Sequence, residues 1–119
     1  PRYFEMTSAL IEDWFAEELD HPFSAIHQGT AYGVPTLSLD ISFSAASRIA
    51  DVLRLTLGVA NLGNTSFTLD ISAACGDEPR FKMRQVMVYA ALGEDVKSAP
   101  LPSVLRARME SFLIPESTN

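Results

Sequence analysis

Residues 36–44 have the sequence TLSLDISFS, in which apolar and polar residues alternate one by one. Successive side chains of a β-strand point to opposite faces, so this period of two predicts a strand with one apolar and one polar face. The apolar face carries Leu37, Leu39, Ile41 and Phe43. Such a face is stable only where another element covers it, so the rest of the chain must supply that cover.

Two further strands repeat the alternation. The apolar residues of these two strands are Leu53, Leu55, Leu57 and Val59, followed by Phe67, Leu69, Ile71 and Ala73. The turn between them is Leu62-Gly63-Asn64-Thr65, in which Gly and Asn tolerate positive φ. Because the three consecutive strands have short connections, an antiparallel meander is expected.

A fourth strand is predicted at about Arg80 to Leu92, after the break at Gly76-Asp77-Glu78-Pro79. It is polar at its beginning and apolar on both faces from Val86. Burial on both faces indicates a central strand or one covered by another subunit. A short helix is predicted from Ser103 to Leu113.

The segment from Arg2 to about Leu19 has helical periodicity, and its apolar residues project within about half of a helical wheel. These residues are Tyr3, Phe4, Met6, Leu10, Ile11, Trp14 and Phe15. Pro1 suits a first helical turn, and Asp20-His21-Pro22 ends the helix. Residues 21–34 contain Gly and Pro without periodicity, which predicts a loop. The expected fold is α+β: an antiparallel sheet wrapped around one long helix, plus a short C-terminal helix.

Composition limits the classes of function. The 119 residues suit one domain, residues 1–119, and 9 basic against 15 acidic residues give a net charge of −6. That balance argues against binding of duplex nucleic acid. The single cysteine, Cys75, excludes an internal disulfide framework and a thiolate-rich zinc site. No membrane span or signal peptide is visible, so we expect a cytoplasmic protein with neither nucleic-acid nor membrane partners.

Few residues stand out for chemistry. His21 and His27 fit ordinary loop histidines better than a metal pair, and Cys75 fits a half-buried thiol better than a nucleophile. The hydroxyls of Thr7 and Ser8 lie near the apolar arc of the helix. They either hydrogen-bond the preceding turn or line a ligand pocket.

Basic residues occur in two pairs, Lys82 with Arg84 on one strand face and Arg106 with Arg108 on the last helix. They are interpreted as solvated charges, with contacts to phosphates as the alternative. The sequence GTAYG at Gly29–Gly33 lacks the preceding strand and the following Lys of a phosphate loop. These residues by themselves indicate only an α+β binding or catalytic domain.

The order of several segments is more specific. The sequence carries Pro1–Glu5 opening a helix, then Gly33–Thr36, Ser47–Leu53, Gly63–Phe67 and Met87–Ala90. Together they resemble the hot-dog thioesterase superfamily over nearly the whole chain, and within it the 4-hydroxybenzoyl-CoA thioesterase branch. The resemblance implies a helix enclosed by an antiparallel sheet. It also implies a homodimer joined edge to edge, with pairing of dimers into a tetramer.

The implied activity is that of an acyl-CoA thioesterase, which hydrolyses a thioester to a free acid and coenzyme A. Coenzyme A is then part of the substrate, and neither a cofactor nor a metal is expected. In the family the catalytic aspartate precedes the tyrosine-proline that opens the helix. The resemblance therefore places that aspartate, together with the first strand, upstream of Pro1, and no residue of this chain takes its role.

The resemblance also implies binding residues. For the acyl group they are Phe4, Ser8 and Ile11 along the helix, with Gly33, Val34, Pro35 and Thr36 contributed by the neighbouring subunit. For coenzyme A they are Gly63, Asn64 and Thr65.

Two departures from the family bear on the substrate. Ser8 stands where the hydroxybenzoyl enzyme has a carboxylate that contacts the phenol, and the turn at Gly63–Thr65 lacks the family's basic cluster. Coenzyme A and an acyl-carrier protein both stay open as the thiol. The alternative function is a non-catalytic hot-dog module that binds an acyl or aromatic ligand. A dehydratase is disfavoured because the helix has no histidine before His21.

Overall fold

The computed structural model describes residues 3–20, 32–46, 48 and 50–115. The elements in chain order are α1 (Tyr3–Asp13), a π-helical turn (Trp14–Glu18), β1 (Tyr32–Gly33), β2 (Thr36–Phe43), β3 (Arg54–Leu62), β4 (Ser66–Cys75), β5 (Glu78–Val88), β6 (Ala90–Ala91), β7 (Lys97–Ser98) and α2 (Ser103–Glu110). His21 and His27 lie outside the described residues. So does most of the loop that contains them.

The N-terminal helical segment is not the one long α-helix that the sequence predicts, because it changes from α-helical to π-helical hydrogen bonding before it ends. It is α-helical for 11 residues and π-helical for the next 5, where the Leu19 amide donates to the Trp14 carbonyl at 3.0 Å. The wider turn brings Trp14, Phe15 and Leu19 into the core together. Asp20 then ends the segment in the left-handed region, with φ of 50°.

The main sheet has four antiparallel strands in the order β2-β5-β4-β3. The prediction that the fourth strand is central is confirmed, since β5 lies between β2 and β4. The predicted meander of the first three strands is wrong: β3, β4 and β5 form the meander, and β2 pairs with β5. Between β2 and β3 the chain therefore passes from one edge of the sheet to the other.

A second, small sheet has the order β1-β6-β7. It corrects two predictions, because Tyr32–Gly33 is strand rather than loop, and the fourth strand stops at Val88 before resuming as Ala90–Ala91. The Tyr32 and Tyr89 rings are stacked, with centroids 5.4 Å apart. This sheet holds the segment that leads into β2 against the end of β5.

The hairpin turn between β3 and β4 forms where the sequence predicts it, but without positive φ at Gly63 or Asn64. Among the described residues, only Asp20 and Gly76 have positive φ. A Cβ at Gly63 would lie 3.2 Å from both the carbonyl oxygen and the hydroxyl of Ser66. Close approach across the turn, rather than backbone conformation, therefore favours glycine there.

The core lies between the inner face of the sheet and the two helices. It includes Ile11, Trp14, Phe15 and Leu19 from the N-terminal segment, Val59, Phe67, Leu69, Ile71, Phe81, Met83 and Met87 from the strands, and Leu105 and Met109 from α2. After α2, Phe112 and Ile114 exchange two hydrogen bonds of 2.8 Å with the backbone of Val59. The C-terminal segment thus covers the free edge of β3.

A buried arginine holds the connection between β2 and β3. Arg80 is 8% exposed, and its Nη1 donates to Asp51 Oδ2 at 2.6 Å and to the Ala46 carbonyl at 2.7 Å. Its own carbonyl accepts from the Ser44 amide. The Arg48 amide and the Arg80 guanidinium lower the pKa of Asp51 below its ordinary value. The Asp51 carboxylate therefore stabilises the folded state.

We predict that Asp51→Asn destabilises the protein at neutral pH. A group with a lowered pKa contributes stability above its unfolded pKa and loses it as the pH falls through the folded pKa. The difference in melting temperature between wild type and variant should therefore be constant above about pH 5 and shrink below about pH 4. Asp77→Asn, in an exposed turn, is the matched control. A difference that does not change down to acid pH would contradict this role of Asp51.

Candidate functional site

One strip of the sheet's inner face is left uncovered. Cross-strand pairing puts Ile41 beside Met83 and Phe43 beside Phe81, which are both core residues, so the apolar side of β2 faces the helix. Leu37 is nevertheless 64% exposed, Leu39 40% and Phe43 56%. We call Leu39 and Phe43, the two exposed residues that pairing places on this face, the apolar strip.

The N-terminus of α1 lies at one end of the apolar strip. The Tyr3 ring packs against Phe43 and Phe81, with centroids 5.2 Å and 5.0 Å away. The next residue, Phe4, is 59% exposed. The first amides of a helix have no partner within the helix, and the helix dipole favours an acceptor placed at that end.

The predicted helix residues divide between the core and the surface. Ile11 is 3% exposed and belongs to the core, whereas Phe4 and Ser8 are exposed. Thr7 is buried, and its hydroxyl donates to the Phe4 carbonyl at 3.2 Å, which confirms the preceding-turn interpretation for this residue. Spacing of three and four residues places Phe4, Ser8 and Ile11 along one side of α1.

The predicted segment Gly33–Thr36 lies at the far end of the strip. Gly33 pairs with Ala90, and the Pro35 carbonyl accepts from the Val88 amide at 3.0 Å. Val34 packs against the core. Thr36 pairs with Met87 at the beginning of β2. Within one chain, these residues are therefore fixed to the end of β5.

Gln85 is a polar residue of this face that the sequence reasoning missed. Its Nε2 donates to Thr36 Oγ1 at 2.8 Å, and it pairs across the sheet with Leu69 and Leu39. A signal was present in the sequence. Phe81, Met83 and Met87 are the apolar residues of the same register, and Gln85 interrupts them.

The predicted coenzyme A turn is held by the C-terminal helix. Arg106 Nη1 donates to the Gly63 carbonyl at 2.5 Å, while the Asn64 carbonyl accepts from the Leu101 amide at 2.9 Å. The Thr65 carbonyl accepts from the Tyr89 amide at 2.8 Å. The carbonyls of the turn are thus hydrogen-bonded. The guanidinium of Arg106 lies beside the turn, a position that the sequence does not predict.

The other basic residues lie elsewhere. Lys82 and Arg84 are on the outer face of β5, and Arg84 binds the Asp70 carboxylate through two hydrogen bonds of 2.7 and 2.8 Å. This pairing raises the pKa of Arg84. Arg108 donates to the Leu19 carbonyl at 2.8 Å. An outer-face cavity of about 600 Å³ is lined by Lys82, Arg84 and Asp40, on the side away from the apolar strip.

The described residues lack a metal cluster and a membrane-spanning helix. No cluster of three or more His, Cys, Asp or Glu side chains there is arranged to hold a metal ion. No helix in the same part of the chain has the length and apolar character needed to cross a bilayer. Cys75 is a half-buried free thiol at the end of β4, as expected.

Comparison with known proteins bears on the fold. No family model matches the sequence, and no curated protein is similar enough to match. Solved structures do match: a 1,4-dihydroxy-2-naphthoyl-CoA thioesterase from Synechocystis is 21% identical, with a TM-score of 0.82 over 96% of this chain and 83% of that one. A gentisyl-coenzyme A thioesterase is 20% identical, with a TM-score of 0.79 over 92% of this chain and 83% of that one.

A third structure, a dynemicin thioesterase, is 14% identical, with a TM-score of 0.83 over 96% of this chain and 83% of that one. Identities this low establish the fold alone. The chain therefore shares the fold of these structures, the hot-dog fold that the sequence resemblance implied.

We predict that Arg106→Gln loosens the hairpin turn. Loss of the guanidinium leaves the Gly63 carbonyl without its donor and should lower the free energy of unfolding by about 1–2 kcal/mol. Hydrogen exchange should quicken at the amide of Gly63, which closes the turn on Ser66. Arg54→Gln, at an exposed position of β3, is the control. Equal stability and exchange in the two variants would contradict an anchoring role for Arg106.

Proposed function

We propose that this chain is an acyl-CoA thioesterase that hydrolyses a thioester to a free acid and coenzyme A. The observation that carries the proposal is the apolar strip, which lies beside the N-terminus of α1 on the inner face of the sheet. An acyl group needs an apolar wall, and its carbonyl needs nearby hydrogen-bond donors. Structures with this fold that carry thioesterase names support the proposal.

In the proposed reaction, the first amides of α1 polarise the thioester carbonyl as negative charge develops on its oxygen. A carboxylate either activates water to attack the carbonyl carbon, or attacks it directly to form an anhydride that water then hydrolyses to the free acid. In both routes the carbon–sulfur bond breaks, and the thiolate of coenzyme A leaves and takes up a proton. The family resemblance places that carboxylate upstream of Pro1. The acyl group lies along α1 against Phe4 and Ser8, and reaches toward Thr36 of the same chain rather than of the neighbouring subunit that the resemblance implies.

Coenzyme A is proposed to bind at the turn Gly63–Thr65. The Arg106 guanidinium beside this turn is 37% exposed, and it also donates to the Leu62 carbonyl at 3.4 Å and lies 3.9 Å from Glu110 Oε1. Of its five N–H donors, some remain for a ligand beyond these contacts and the bond to Gly63. It supplies the charge-assisted contact to phosphate that the turn itself lacks. Ser8 in place of the family's carboxylate favours an acyl group other than 4-hydroxybenzoyl.

A homodimer completes the proposed site. β2 is an edge strand, so its outer backbone groups are unpaired within the sheet, and its inner face carries the exposed Leu39 and Phe43. Antiparallel pairing of β2 with the same strand of a second copy joins two sheets and covers the apolar strip. Pairing of dimers into a tetramer and a cytoplasmic location are further proposals. The second agrees with a single unpaired cysteine.

We predict that the protein releases free thiol from acyl-CoA. Because the strip is apolar, acyl-CoAs with larger acyl groups should be hydrolysed with a higher kcat/KM than acetyl-CoA. A panel of short, long and aromatic acyl-CoAs with a thiol reagent measures this. Binding without release over the whole panel would favour the non-catalytic module.

We predict that Leu39→Asp converts the dimer to a monomer, because it places a charge in the covered strip. Sedimentation velocity at one protein concentration measures the change. Ser38→Asp, on the opposite face of the same strand, should weaken association much less. A wild-type protein that sediments as a stable monomer would contradict the proposed dimer.

A further inference from the structure

Gln85 is a polar side chain on an otherwise apolar wall. Along β5 its same-face neighbours Met83 and Met87 are 2% and 5% exposed. Across the sheet it is paired with Leu69, which is fully buried, and with Leu39, which is 40% exposed. A methionine or leucine at this position would complete the apolar surface. An amide at this position costs free energy when it is removed from water, unless it is hydrogen-bonded to a partner.

The Gln85 side-chain amide can form more hydrogen bonds than the one it makes to a described residue. Its Nε2 donates to Thr36 Oγ1 at 2.8 Å, and this is the one hydrogen bond its side chain makes to a described residue. A glutamine amide carries two N–H donors and an oxygen with two lone pairs. One donor and the acceptor oxygen therefore remain available, and the bond to Thr36 fixes the direction in which they point.

This amide is open to the apolar strip. Gln85 is half-buried, and its neighbour toward the free edge is the exposed Leu39. A molecule that covers the strip would also cover Gln85. The remaining donor and acceptor would then lose water, so only a molecule with a polar oxygen at that point satisfies them.

The position along the strand sets the length of such a molecule. Tyr3, at the N-terminus of α1, packs on Phe81, and Gln85 follows Phe81 by four positions on β5. Four residues of strand span about 13 Å. A thioester whose carbonyl lies at the N-terminus of α1 would therefore reach Gln85 only with an acyl group longer than a single benzene ring.

We infer that Gln85 determines acyl specificity by binding a hydroxyl or carbonyl oxygen at the far end of an elongated, otherwise apolar acyl group. Thr36 is the positioning residue that orients the amide. The inference rests on the proposed function for the direction in which the acyl group lies. A site that hydrogen-bonds a substrate oxygen discriminates against the analogue without it, because its buried polar groups are then unpaired.

The experiment uses two non-hydrolysable thioethers, S-decyl-CoA and S-(ω-hydroxydecyl)-CoA, titrated calorimetrically into the intact protein. Wild type should bind the hydroxylated analogue about tenfold more tightly. Gln85→Met should bring the two affinities to near equality without weakening the binding of S-decyl-CoA. Thr36→Val should reduce the preference and Thr36→Ser should restore it. Ser38→Val, on the outer face of the same strand, should leave it unchanged.

Three outcomes would overturn the inference: equal affinities in wild type, a preference that Gln85→Met retains, or no binding of either thioether. A parallel hydrolysis assay with decanoyl-CoA and ω-hydroxydecanoyl-CoA separates this result from the proposed function. Release of thiol without a preference overturns only the role of Gln85. A preference in binding without release of thiol overturns only the hydrolase.

Discussion

The structure depends on covering the apolar inner face of a four-stranded sheet. Strands β3, β4 and β5 are covered by α1, the π-helical turn and α2, which together form one core. The remaining strand, β2, presents the same kind of face, and this face is left exposed. Burial of an apolar side chain stabilises by about 1.5–3 kcal/mol relative to exposure. Association that buries the exposed side chains of β2 is therefore favourable.

This incomplete cover is what makes the inner face usable. If an element of the same chain packed on β2, no surface beside the N-terminus of α1 would remain for an apolar ligand. The free edge of β3, by contrast, is occupied by Phe112 and Ile114. Association through an edge strand is therefore directed to β2, where the apolar strip and the amide of Gln85 lie on the same face. The two basic clusters are separate, since Arg106 holds the hairpin turn and Arg84 is paired with Asp70 on the outer face.

The sequence predicts the elements better than their arrangement. Alternation of period two predicts the long strands to within a few residues, because each strand has one buried face. It does not reveal that β2 crosses to the far edge, since that depends on contacts such as Arg80 with Asp51, 29 residues apart. Arg106 likewise reaches Gly63 from 43 residues away. The π-helical turn also has no simple sequence pattern that predicts it, because it depends on how Trp14 and Phe15 pack in the core.

The most direct test of the account is a crystal structure of the protein with S-(ω-hydroxydecyl)-CoA bound. The account predicts the alkyl chain against Leu39, with its sulfur near the N-terminus of α1, its hydroxyl within hydrogen-bond distance of Gln85, and a second copy over β2. An alkyl chain bound on the outer face near Lys82, or an occupied site with β2 still exposed to solvent, would contradict it.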